Sequence, residues 1–108
     1  MLVSLLFVVC LHFVADFIFQ TDTMAVNKST SVKWLTAHVL VYMLPFFLLG
    51  WQFAVINGAA HWLTDFVTSR VTSYLWKKGD RHNFFVVIGL DQAVHMTTLI
   101  LSLVVLKW

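Results

Sequence analysis

Three residue pairs stand out because each could present two side chains to one ligand. His12 and Asp16, His61 and Asp65, and Asp91 and His95 are each spaced i, i+4. On a helix such positions share a face, one turn apart. An imidazole and a carboxylate so placed can address the same cation, the geometric logic of the zincin helix. Their nitrogen and oxygen donors suit zinc, iron, manganese or nickel. His38, with Tyr42 one turn later, adds a fourth histidine. Four histidines and three aspartates exceed the ~4 ligands of one zinc. Either two metals share the residues, or some carboxylates stand behind the histidines and fix their tautomers. The expected cofactor is therefore a divalent transition metal, zinc first, as one or two ions. His12, His61 and His95 are the first choice of ligands, and His38 joins the metal set. Asp16, Asp65 and Asp91 are further ligands or catalytic general bases.

The elements that must carry these residues are apolar. Of 108 residues, 60% are hydrophobic and 11% charged, with a mean hydropathy of +0.85. Soluble domains carry roughly 25% charged residues, so the composition is that of a membrane protein. The length allows one domain, residues 1–108. All five acidic residues are Asp, and a net charge of +2 is too small to suggest a nucleic-acid partner. Four apolar segments follow: Leu2–Phe19, Trp34–Leu49, Phe53–Trp76 and Phe84–Leu106. A span needs roughly 20 residues, so the second is marginal. The expected fold is an all-α, integral-membrane four-helix bundle. Met1–Gln20 is read as a retained helix rather than a signal peptide, because it lacks a basic start and carries His12 and Asp16.

Met24–Lys33 is expected to be a polar connector, Gly50-Trp51-Gln52 a tight hairpin link and Lys77–Asn83 a charged turn. Lys28, Lys33, Arg70, Lys77, Lys78 and Arg81 all fall on one side of such a bundle, and Lys107 on the other. The positive-inside rule makes the first side cytoplasmic and leaves both termini outside the cytoplasm, as in a multi-pass membrane protein. Trp34 and Trp76 would mark the cytoplasmic interface, Trp51 and Trp108 the opposite one. The order of the pairs then acquires meaning. The first and third helices run inward, with Asp after His. The fourth runs outward, with Asp before His. All seven groups fit one slab between midplane and cytoplasmic face, carboxylates on its cytoplasmic side. An ionised Asp at mid-membrane costs on the order of 2.5–3.5 kcal/mol, so three must face one another, a cation or water.

Plainer readings stand beside this one. A lone histidine in an apolar helix serves more often as an interhelical hydrogen-bonding group than as a ligand, and polar pairs can act as glue at roughly 0.6 kcal/mol each. The convergence of seven groups at one depth favours a functional site. Asn57 and Thr64 read as glue, and Gly58-Ala59-Ala60 as a close-packing surface. Gln20 and Gln92 either orient ligands or substrate, or bond across helices. Lys28 and Arg70 are first a topology signal, with a second reading as phosphate-binding clamps. Cys10 reads as a small buried hydrophobe, Pro45 as a lipid-facing kink and His82 as a solvated turn residue.

The run His12-Phe-Val-Ala-Asp16-Phe-Ile-Phe-Gln20-Thr-Asp22, followed by Lys28, Ala37-His38-Val-Leu, Asn57-Gly58, His61-Trp-Leu-Thr-Asp65, Thr68-Ser69-Arg70 and Gly89-Leu90-Asp91-Gln92-Ala-Val-His95, resembles a family of small bacterial and phage integral membrane proteins, domain of unknown function 3307. The resemblance covers nearly the whole chain. It implies that His12, Asp16, His38, His61, Asp65, Asp91 and His95 are the family's characteristic polar positions, and it implies no activity. Gly58–Thr68 also resembles the His-x-x-x-Asp helix of proteins described as inner-membrane metal-dependent hydrolases. This chain lacks their Thr-His-Ser element, so only His61 and Asp65 carry over, as metal ligands.

Three functions remain open on the sequence. The leading one is a metal-dependent membrane hydrolase acting on a lipid or lipid-linked phosphate from the cytoplasmic leaflet, its metal activating water. The second is a small transporter or channel for a metal ion, proton or solute, which with four helices would be a homo-oligomer. The third is a non-catalytic membrane module held together by its polar cluster.

Overall fold

The structure, a computed structural model, describes residues 1–106. Lys107 and Trp108, given an interfacial role above, lie outside the described residues. Five α-helices follow in order: α1 (Leu2–Phe13), α2 (Asp22–Asn27), α3 (Val32–Phe46), α4 (Trp51–Lys78) and α5 (Arg81–Val105). A π-helical turn, Val14–Ile18, extends α1, and a 3-10 turn, Phe47–Leu49, extends α3. No strand is present among the described residues. The all-α expectation is met.

Local chemistry sets the helix ends. Thr21 and Ser31 each accept a bond from the backbone N–H three residues on, starting α2 and α3. The connector expected to be irregular therefore contains a helix. Gly50 joins α3 to α4 at φ 104°, and Gly79 ends α4 at φ 85°, conformations that an L side chain resists. Asp80 caps α5 by accepting from both the backbone and the side chain of Asn83. These bonds, the side-chain one foremost, hold the Asp80 carboxyl below the usual range. The expected links Gly50–Gln52 and Lys77–Asn83 thus shrink to Gly50 and to Gly79-Asp80. His82 is exposed in the first turn of α5.

Contacts between helices give the path. Phe46 meets Phe53, and His38 meets His61, so α3 and α4 are antiparallel. Thr68 meets Asp91, and Asn57 meets Ser102, so α4 and α5 are antiparallel as well. His12 meets Tyr42 and Asp16 meets His38, which sets α1 antiparallel to α3. The four long helices therefore alternate in direction. Helix α4 is central, packed on α3 and on α5. A Cβ at Gly58 would overlap the Met43 thioether, so this glycine lets α3 approach α4.

The distribution of polarity is inverted relative to a soluble domain. His12, Asp16, His38, His61, Asp65 and His95 are each at most 5% exposed, while Leu6, Phe17, Leu40, Leu63, Val67, Phe85, Leu90 and Leu101 are exposed. Val32–Leu49 and Arg81–Val105 are long and apolar enough to cross a membrane, and Leu2–Ile18 is apolar but shorter. Two expectations change. Cys10 is exposed rather than buried, because it lies on the apolar outer face of α1. Pro45 is half-buried, in the last turn of α3 just before the 3-10 turn.

Candidate metal centre

Four helices each supply part of one buried cluster. The centre of it is a cage of four atoms. His38 Nε2 and His61 Nε2 lie 3.1 Å apart. Asp16 Oδ1 is 3.2 Å from the first and 3.5 Å from the second. Asp65 Oδ2 is 3.3 Å and 3.2 Å from the same two nitrogens. A tetrahedral zinc, with bonds of about 2.0–2.1 Å, sets its ligands roughly 3.3–3.4 Å apart. Five of the six edges thus lie close to that length, at 3.1–3.5 Å. The protons tell the same story. Both carboxylate oxygens only accept, so each Nε2 is drawn to donate toward them, yet two N–H groups cannot face one another at this distance. A cation among the four atoms removes the conflict. The Nδ1 atoms of His38 and His61 are buried and have no partner.

A second group adjoins the first. His95 Nε2 lies 3.1 Å from Asp65 Oδ1 and 3.1 Å from Asp91 Oδ2. Asp16, Asp91 and His95 offer three ligand atoms within 4.8 Å of one another, and Asp16, His38, His61 and Asp65 offer four. These buried groups could hold a metal ion. The rings are locked by stacking: His61 on His95 at 3.9 Å, and Tyr42 on His61 at 3.9 Å.

Around the cages runs a directed hydrogen-bond chain. Gln92 Nε2 donates to Asp16 Oδ2 and to Asp91 Oδ2, both at 3.2 Å. Its Oε1 must then accept, and His12 Nε2 lies 2.8 Å away. That fixes the Nε2–H tautomer of His12, whose Nδ1 accepts from Tyr42 Oη at 2.9 Å. Thr68 Oγ1 donates to Asp91 Oδ1 at 2.6 Å. His12, a first-choice ligand on sequence grounds, is therefore occupied at both nitrogens and stands behind the cages. Of the two glutamines, Gln92 bonds across helices, to His12 and Asp16. Tyr42 and Thr68 were not among the site residues expected, although both sit one turn from a histidine or aspartate on the same face.

Lys28 reaches in from the chain after α2, and its Nζ is 3.1 Å from Asp65 Oδ2. Arg70 does not come to the cluster. Its guanidinium donates to Phe66 O and lies 3.8 Å over the Phe66 ring. Asn57 donates to Ser102 Oγ across helices, the gluing role expected, whereas Thr64 bonds only within its own helix.

A cavity of about 690 Å³ opens beside the cluster. Asp16, Asp91, Gln92 and Lys28 form its polar wall, Lys77 its charged rim, and Phe17, Val26, Trp76, Phe84 and Ile88 its apolar remainder. Gln20 lines it too, with a buried Oε1 that has no partner. A smaller cavity of about 50 Å³ touches Asp65, Asp91, Thr68 and Ser69. The carboxylates, and no histidine among the described residues, line these cavities. The reversed order of Asp91 and His95 on the antiparallel α5 produces that alignment.

An all-α bundle with a buried His–Asp cluster is the class that fold and site define. The chain belongs to the protein family of unknown function DUF3307, whose family model matches residues 2–108. No curated protein and no solved structure matches it.

Proposed function

We propose that this chain spans the membrane four times, binds a zinc-class divalent cation among its buried His and Asp side chains, and hydrolyses a phosphate ester of an amphiphile that enters through the large cavity. The observation that carries the metal reading is the cage of His38, His61, Asp16 and Asp65, with its 3.1–3.5 Å edges. Four spans are supported by the inverted polarity. Helix α4 is less apolar along its length, and its polar residues Asn57, His61 and Asp65 are on its buried face. Its outward residues Val55, Ile56, Leu63, Val67 and Val71 are apolar and exposed, as a lipid-facing surface requires. The positive-inside bias supports placing the cavity in the cytoplasmic leaflet.

Substrate class follows from the cavity lining. Lys28 and Lys77 offer positive charge to an anionic head, and the Phe17, Val26, Trp76, Phe84 and Ile88 wall accepts an acyl chain. A divalent cation held among the buried His and Asp side chains would supply polarisation of a phosphoryl oxygen and a water acidified to a pKa of about 7. Water adds to phosphorus, the ester P–O bond breaks, and the alcohol leaves with the water's second proton. Asp16 and Asp91 are the carboxylates that line the cavity and would face a water entering it. An enzyme is favoured over a conducting pathway because Tyr42, Phe46, Phe53, Leu99 and Leu103 fill the other half of the bundle and leave no route through it.

Metal analysis of the detergent-purified protein is the test. Stoichiometric zinc or a similar metal is expected, lost in His61→Ala with helicity retained. Metal-free wild type would sink the proposal. Given bound metal, release of phosphate from a detergent-solubilised lipid phosphate supports hydrolysis. Flux of the metal across sealed vesicles without such release would make the protein a transporter instead.

A further inference from the structure

The four-atom cage has no free coordination position, and that has a chemical consequence. Four protein ligands are the pattern of a closed zinc site, whereas catalytic sites keep one position for water. The chemistry needs a second, open position, and the same cluster contains one.

We infer that a second divalent cation binds beside the first, held by Asp91, His95 and the shared carboxylate of Asp16, with water as its remaining ligand. This rests on the metal reading above. Three observations support it. His95 Nε2 and Asp91 Oδ2 are 3.1 Å apart, and an oxygen of Asp16 completes a three-atom set within 4.8 Å. Asp16 and Asp65 each turn one oxygen to the closed cage and the other toward this group: Asp65 Oδ1 is 3.1 Å from His95 Nε2, and Asp16 Oδ2 is tied through Gln92 to Asp91. Finally, the cavity of about 50 Å³ abuts Asp65 and Asp91. A water's share of liquid volume is about 30 Å³, so there is room for one or two. Ser69, 7% exposed, lines this space with a hydroxyl that has no partner.

The arrangement resembles the two-metal sites that clamp the attacking and leaving oxygens of a phosphoryl group. It divides the labour. The ion between His38 and His61 is fixed, and the ion beside Asp91, next to both cavities, meets water and substrate. Thr68 and Gln92 then act as positioning residues, because they fix the Asp91 carboxylate.

The experiment titrates chelator-stripped, detergent-purified protein with Zn²⁺ and counts bound ions. Wild type is expected to take two per chain. Asp91→Asn and His95→Gln each reduce the count to one, and His38→Ala removes the other site. Asp16→Asn, at the shared carboxylate, weakens both by tenfold or more. Because single variants could fail to fold, circular dichroism accompanies each, and Thr68→Val, which leaves every ligand in place, should weaken only one of the two sites. One ion per chain in wild type, unaffected by Asp91→Asn, overturns this inference and leaves the closed cage standing. No bound ion overturns both.

Discussion

The two halves of the bundle solve the packing problem in opposite ways. Toward the Gly50 link, Phe46, Leu49, Phe53, Ala54, Leu99 and Leu103 make an ordinary apolar core. Toward Gly79, the same helices bury His38, His61, Asp65, Asp91 and His95. Tyr42 stands at the boundary, its ring packed on Phe46 and its hydroxyl bonded to His12. The helices thus have an apolar packing surface separate from the polar cluster, so the two can be perturbed one at a time.

Substitutions can break this division. Phe53→Ala in the apolar half should cost about 3–5 kcal/mol through transfer and cavity terms, seen as a fall in thermal midpoint. The metal content of the protein that remains folded should not change. Equal loss of metal would mean that the halves are not separable. Lys28→Met should cost about 1.5–3 kcal/mol, the value of a hydrogen bond to a charged group, but only in metal-free protein. With metal bound, the cation replaces the ammonium beside Asp65, and melts with and without chelator should show the difference. Tyr42→Phe removes the O–H that His12 Nδ1 accepts, at about 1–2 kcal/mol for an unpartnered buried acceptor. Its melting shift should be near that of Lys28→Met in apo protein, and unlike it should persist with metal. Ser31→Ala, which touches none of the clustered side chains, should cost about 1 kcal/mol through the lost cap of α3 and leave metal binding untouched.

Much of this contrast was legible in the chain. The i, i+4 pairs gave the faces, and the reversed Asp91–His95 order anticipated the alignment of carboxylates, because alternation of helix direction follows from short links. What the spacing did not carry was the partner of each side chain. His12 looked like a ligand by the same criterion as His61, and only the position of Gln92 and Tyr42 on other helices gives it a different role. Arg70 lay at the expected depth but on the wrong face of α4, turned toward Phe66. The helix α2 was hidden because its six residues have no apolar periodicity. Its start depends on the Thr21 cap, and that short turn is what delivers Lys28 to Asp65.

The π-helical turn at Val14–Ile18 makes the site depend on chain length. Phe19 N–H bonds to Val14 O across five residues instead of four, at 2.9 Å. One extra residue is thereby accommodated in the turn that carries Asp16. Deleting a single residue here would let the turn relax to regular α-helix, in which each position advances by about 100°. If the residue lost lies between His12 and Asp16, the two would stand three positions apart instead of four, and Asp16 would turn away from its present direction. Asp16, with one oxygen beside His38 and the other accepting from Gln92, tolerates no such reorientation, so at this turn an indel should be more damaging than most replacements of one side chain by another.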